Sequence, residues 1–117
     1  MEHLRIEERD NITIVVFLTT ELQGEKTIRS IQEELIRLIE KDGKNMIVLD
    51  MTGLTYLASM ALAMLIAIYK SLNGIKGKLA ISQPTNKVAM QVLTVTKMNK
   101  IFPIEKDPEA AILALAS

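Results

Sequence analysis

Apolar positions recur along this chain with two different periods, and the switches between them divide it into elements. Leu4 and Ile6 alternate with Arg5 and Glu7, the two-residue period of a half-buried strand. Ile12 to Leu18 (ITIVVFL) is a nearly unbroken apolar run rich in β-branched residues, which predicts a second, more buried strand. Asp10-Asn11 between them is a turn signal, so the chain is expected to open with a hairpin. Thr19 to Lys26 is polar, contains Gly24 and predicts a loop. Thr27 then reads as a helix N-cap. After it Ile28, Ile31, Leu35, Leu38 and Ile39 recur at spacings of three and four, opposite Glu33, Glu34, Arg37 and Lys41. Asp42-Gly43 closes that helix with a residue suited to positive φ. Met46 to Leu49 (MIVL) is too brief for a helix and predicts a central strand.

The segment MTGLTYLA reads as a loop leading into a strongly apolar helix over residues 59–73, ended by Asn73-Gly74. Leu79 to Ile81 predicts another short strand, stopped at Ser82-Gln83-Pro84. Thr85 reads as the cap of a helix reaching Lys97, with Val88, Val92 and Val95 on one face. Ile101 to Ile104 predicts a last strand, at an edge because Pro103 lacks an N–H. Asp107-Pro108 opens a final helix completed by Ala110 to Ala116. The order is ββαβαβαβα. Strands alternating with helices require a mixed or parallel sheet with helical cover, here an α/β fold of four to five strands and about four helices. The length of 117 residues suits one domain, expected over residues 1–117, with no internal repeat or linker.

Composition narrows the chemistry. With no cysteine, disulfides and thiol-based metal sites are excluded, and a reducing, cytoplasmic setting is the natural expectation. Aromatic residues make up 3%, too few for the stacking platforms of single-stranded nucleic-acid binders, so no nucleic-acid partner is expected. The N-terminus MEHLRIEERD has no apolar stretch of a secretory signal. Met51 to Tyr69 is uncharged, but its continuous apolar part, Leu57 to Tyr69, falls short of the roughly 20 residues a membrane span requires. A net charge of zero conceals segregation. Residues 1–50 carry seven basic against eleven acidic side chains, whereas residues 51–104 carry six lysines and no acid. Two readings stay open: a basic face for an acidic partner, or solvated lysines scattered over the surface.

Catalytic groups are sparse. His3 is the only histidine, and Glu7-Glu8 and Glu33-Glu34 are sequence neighbours whose side chains diverge on a strand or helix. No glycine pattern matches a phosphate cradle, since Gly74 and Gly77 merely flank Ile75-Lys76. No catalytic residue, cofactor or metal site is therefore expected, and the chain reads as a non-enzyme.

The segment from Ile47 to Ser82 carries a more specific signal. Leu49-Asp50-Met51 leaves a strand, and Leu54, Tyr56-Leu57 and Ser59 follow at fixed spacing. Then come an apolar helix with Leu62, Tyr69 and Lys70, and Gly77-Lys78-Leu79 opening the next strand. Upstream stands Leu18 to Leu22 (LTTEL), and downstream Met98 to Ile101 and the short final helix. In this order the motifs resemble the STAS family, the domain of anti-sigma-factor antagonists and of sulphate-transporter tails. That family's pattern is D/N-(L/M)-x-x-(L/V)-x-(F/Y)-(I/M/L)-D-S-S-G-L, preceded by LTGEL-D. The resemblance covers most of the chain and implies a STAS-like fold.

The departures fall on the family's switch. Its second serine, phosphorylated by an anti-sigma factor with kinase activity, corresponds here to Met60. Ala58 replaces the preceding aspartate, Ala61 the following glycine, and Gln23 the aspartate of the upstream motif. A thioether offers no hydroxyl to a kinase. Ser59 is the one neighbouring hydroxyl, a secondary candidate for phosphorylation, and it reads first as a helix N-cap. On a helical wheel Leu62, Leu65, Ile66 and Tyr69 form the expected core face, with Met60, Met64 and Ala67 opposite and Ala63 close by. Deformable methionines suit adaptable binding surfaces, and they equally suit a core, so both readings of this face stay open.

The resemblance thus implies a bacterial, cytoplasmic regulatory domain in signalling and transcription control that binds a protein, an anti-sigma factor or kinase-like partner, without the phosphoserine switch. The expected contact residues are Thr55, Tyr56, Ala58, Ser59, Met60, Ala63, Met64 and Ala67. Two alternatives carry weight: a self-assembling scaffold subunit of a stress-signalling complex, for which weak homo-oligomers are expected, and an accessory subunit of a transport system.

Overall fold

A computed structural model describes residues 3–116; of the span 1–117 expected to form one domain, Met1, Glu2 and Ser117 lie outside the described residues. The elements in order are β1 (Leu4–Arg9), β2 (Ile12–Phe17), β3 (Glu21–Leu22), α1 (Glu25–Glu40), β4 (Met46–Asp50), β5 (Tyr56–Leu57), α2 (Ser59–Gly74), β6 (Lys78–Ser82), α3 (Lys87–Val95), a 3-10 turn (Met98–Lys100), β7 (Ile104–Glu105) and α4 (Pro108–Ala116). Five strands form one mixed sheet in the order β1-β2-β4-β6-β7. β1 and β2 are the expected antiparallel hairpin, turned by Asp10 and Asn11, both at positive φ. The β2–β4, β4–β6 and β6–β7 pairs are parallel, as helical crossovers demand. β7 lies at the edge, shifted from the expected 101–104, because residues 98–100 turn tightly before it.

Period-2 alternation assigns the two sheet faces. Val15, Phe17, Ile47, Leu49, Leu79 and Ile81 point to one side, where Ile28, Ile31, Leu35 and Ile39 of α1 and Ala61, Met64, Leu65, Ile68 and Leu72 of α2 close the main core. Ile12, Ile14, Val48 and Ala80 point to the other, covered by Ala111 and Leu115 of α4. An exposed pair, Arg9 to Glu109 at 2.7 Å, ties β1 to α4 and raises the guanidinium pKa further above its ordinary value. Phe102 packs its ring on Tyr69 of α2, centroids 5.8 Å apart.

Several helix ends differ from expectation. Gly24, at φ +88, precedes α1, and Thr27 lies inside the helix rather than capping it. The side chain of Asn86, not that of Thr85, caps α3 by accepting from the Ala89 N–H at 3.0 Å. Thr85 instead donates through both its N–H and its hydroxyl to the Thr52 carbonyl. α3 buries Ala89 and Leu93, which leaves Val88 and Val95 exposed. α2 runs through Gly74, and the left-handed residue that ends it is Lys76, at φ +58. The Lys76 N–H then reaches Asn73 O and the Gly77 N–H reaches Leu72 O, a Schellman closure. Asp107 caps α4 as expected, accepting from Ala110 N–H at 2.8 Å.

Candidate functional site

The two segments that carry the family resemblance, around residues 18–22 and 54–59, meet at the carboxyl end of the parallel strands. β3 and β5, both read as loop, pair in parallel with Glu21 opposite Tyr56 and Leu22 opposite Leu57. Thr55 donates twice to the Thr20 carbonyl, from its N–H at 2.7 Å and its hydroxyl at 3.1 Å, and Ala58 N–H donates to Leu22 O at 2.9 Å. Leu22 and Leu57 turn into the core as anchors while Tyr56 stays exposed. This small ladder fixes where α2 begins. A two-residue strand has no alternation to detect, so only the resemblance itself could have drawn attention to it.

A second brace stands behind the ladder. Asp50, at the end of β4, accepts from the Thr52 N–H at 3.0 Å and also from the Thr52 hydroxyl. Thr52 Oγ1 lies 3.2 Å from Oγ of Ser82, which is wholly buried at the end of β6. Met51 N–H donates to the Ser82 carbonyl. The network locks the turn after β4 onto β6 and positions the residues that follow. Sequence reading did not single out Thr52 or Ser82 for this role; Asp two residues before Thr is the local signal of such a side-chain turn. Among the described residues no buried side-chain polar atom lacks a partner, and no group of three His, Cys, Asp or Glu could hold a metal ion.

The first turn of α2 resolves the two methionines differently. Met60 is 43% exposed, with Ala63 exposed beside it; Met64 is 0% exposed and belongs to the core. Met64 is therefore corrected from contact surface to packing residue. The buried arc of α2 runs through Ala61, Met64, Leu65, Ile68 and Leu72, about a quarter turn from the face expected on the wheel. The reason is that α2 is apolar almost all round and packs sideways on α1 as well as down on the sheet, so periodicity alone could not set its phase. Of the other expected contacts, Thr55, Tyr56 and Ser59 are exposed, while Ala58 and Ala67 are half-buried. Ser59 is the first helical residue; Ala58 occupies the cap position, and no side-chain cap bond forms.

The lysines of residues 51–104 do not gather here. Lys76 and Lys78 stand at the amino end of β6, Lys70 towards the end of α2, and Lys97 and Lys100 around the turn before β7. Only Lys87, opening α3, lies at the carboxyl end of the strands. Charge segregation along the sequence thus builds no basic surface around the start of α2.

A family model for the STAS domain matches residues 3–111. No curated protein matches the sequence. Among solved structures, an anti-sigma factor antagonist from Mycobacterium paratuberculosis superposes with a TM-score of 0.83 at 20% identity, over 97% of this chain and 93% of that one. A STAS domain protein from Planctomyces limnophilus gives 0.79 at 19% identity, over 96% of each chain. The Bacillus anti-sigma factor antagonist SpoIIAA in its unphosphorylated form gives 0.72 at 15%, over 97% and 98%. At these identities the likeness is one of fold.

Proposed function

The chain belongs to the STAS domain family, and from that membership we propose that it is a non-enzymatic regulatory domain of the anti-sigma-factor-antagonist kind, lacking the phosphoserine switch. Its partner is an anti-sigma factor or kinase-like protein of a bacterial cytoplasm, and one folded unit, residues 1–117, does the binding. No helix among the described residues is long and apolar enough to cross a membrane.

One observation carries this reading. The position matched to the family's phosphorylated serine is Met60, and it is half-exposed on the first turn of α2 beside exposed Tyr56 and Ala63. Where the family places a hydroxyl between carboxylates, this chain presents uncharged, mostly apolar surface, which favours contact with a partner over phosphoryl chemistry. The contact set is Thr55, Tyr56, Ser59, Met60 and Ala63, with Ala58 and Ala67 at its margin. Binding is then constitutive with respect to phosphorylation.

The test pairs capture with modification. The protein used as bait in native cells, followed by mass spectrometry, is expected to retain a protein with an ATP-binding kinase-like domain, and Met60→Lys is expected to lose it while remaining folded. A charge brought to a desolvated contact without a partner costs several kcal/mol, so the loss should be close to complete. Incubation with ATP and that protein should leave the chain unmodified. Efficient phosphorylation of Ser59, or capture indifferent to Met60→Lys, would overturn the proposal.

A further inference from the structure

We propose that the outward face of α1, with the groove beside it, docks a second copy of this chain around a two-fold axis. This goes beyond the reading above and concerns a different partner, and its charged row on α1 lies outside the contact set proposed there, although the groove shares Met60 and Ala63 with that set. Glu25, Arg29, Glu33 and Arg37 follow one another at four-residue intervals, all exposed, and their charge alternates in sign along the row. A second row, Ile28, Gln32, Ile36 and Glu40, runs beside it. Between that row and the start of α2 lies an open groove of about 680 Å³ whose apolar lining is Ile28, Ile36, Met60 and Ala63.

Helices related by a perpendicular two-fold axis run antiparallel, so a residue on one faces the residue equally far beyond the axis on the other. An axis at the level of Ile31 sets Arg29 opposite Glu33 of the second copy, and Glu25 opposite its Arg37. Symmetry repeats both, giving four opposite-charge pairs and no like-charge pair within the row. Parallel, in-register alignment would set like against like. Four-residue rows are also the ridges that interlock in the commonest class of helix packing, crossing at about −50°. Arg29 already reaches Glu25 within the chain at 2.7 Å, and Arg37 reaches Glu34 at 3.8 Å. The first pair is largely exposed and the second is half-buried only on its Glu34 side, so both can exchange partners. The row is thus complementary to itself, which is what an interface between two copies of one chain requires.

Sedimentation equilibrium over a range of concentrations reads the outcome. The unaltered protein is expected to form a dimer that weakens when salt is raised from about 0.1 M to about 1 M, since screening shortens the reach of surface charges. Arg29→Glu and Glu33→Arg each turn two attractions into two repulsions and should weaken association about tenfold or more. The double swap R29E/E33R regains opposite charge at every pair across the axis, though not the alternation along one chain, and should return to within about threefold of the original. All these positions are exposed, so thermal unfolding of each variant should stay close to the parent. As the chain has no cysteine, Gln32→Cys should give a covalent dimer on oxidation, whereas Val95→Cys, exposed on α3, should not. A protein monomeric at every concentration, a dimer indifferent to the single reversals, or a double swap as weak as they are would overturn the proposal.

Discussion

Truncating Met64 and Met60 separately to alanine weighs the packing of α2 at two points one turn apart. Met64 has no exposed surface and is enclosed in the core that α1, α2 and the sheet share. Removing its three outer atoms forfeits their transfer from water and leaves a cavity, because neighbours such as Leu65, Ile68 and Leu35 are themselves fully buried and relax only in part. For buried methionine that sum is about 2–5 kcal/mol. Met60, already 43% exposed, loses little on truncation, within about 0.5 kcal/mol as at an ordinary surface site. A domain of this length shifts its melting temperature by roughly 4 °C per kcal/mol, so Met64→Ala should melt about 8–20 °C lower and Met60→Ala within about 2 °C. Urea titration followed by circular dichroism gives the free energies directly, with an unchanged dependence on denaturant if the two states are unaltered. Equal small losses at both positions would refute the placement of Met64 in the core, and with it the phase of α2 from which the exposure of Met60 and Ala63 follows.

Three further outcomes test the backbone that holds this region. A Cβ on Gly77 would sit 2.6 Å from the Asn45 carbonyl and 2.9 Å from Leu72 Cδ2, so Gly77→Ala should cost about 1–3 kcal/mol in denaturant titration. Lys76, left-handed at φ +58 in the closure of α2, should gain about 0.5–1 kcal/mol on replacement by glycine, read as a higher midpoint in the same assay. Asn86→Ala, which removes the cap of α3, should cost about 0.5–2 kcal/mol, whereas Ser59→Ala, which removes no cap bond, should stay within about 0.5 kcal/mol.

Long periodic segments were legible in the sequence because burial imposes their period. α1 shows one apolar stripe, and four of the five residues its spacing names, Ile28, Ile31, Leu35 and Ile39, are buried, while Leu38 is half-buried at the margin. β2, β4 and β6 are continuous apolar runs, as strands covered on both faces must be. The misreadings fall where the deciding contact is remote in sequence. β3 and β5 exist only through each other, thirty-odd residues apart, and the rotation of α2 is set by α1. Thr27, Thr85 and Ser59 are all plausible caps by residue type, yet the cap positions fall three, one and one residues earlier or later, at Gly24, Asn86 and Ala58, and of these three only Asn86 caps through its side chain.

The site separates what presents a surface from what acts on it. The β3–β5 ladder, the Asp50–Thr52–Ser82 brace and the anchors Leu22 and Leu57 place the first turn of α2 at the carboxyl end of the sheet, and they do so through backbone bonds and buried groups. None of them depends on what occupies positions 23, 58 and 60. Those positions carry Gln23, Ala58 and Met60 where the family motif has two carboxylates and a serine, and the scaffold is intact around them. A surface whose only use was to receive a phosphate would have no need of such bracing once the hydroxyl was gone. A surface that is bound has every need of it, because ordering a loose loop on contact would subtract from affinity. On the proposed loss of the switch, a geometry kept in this way fits a face whose remaining work is recognition.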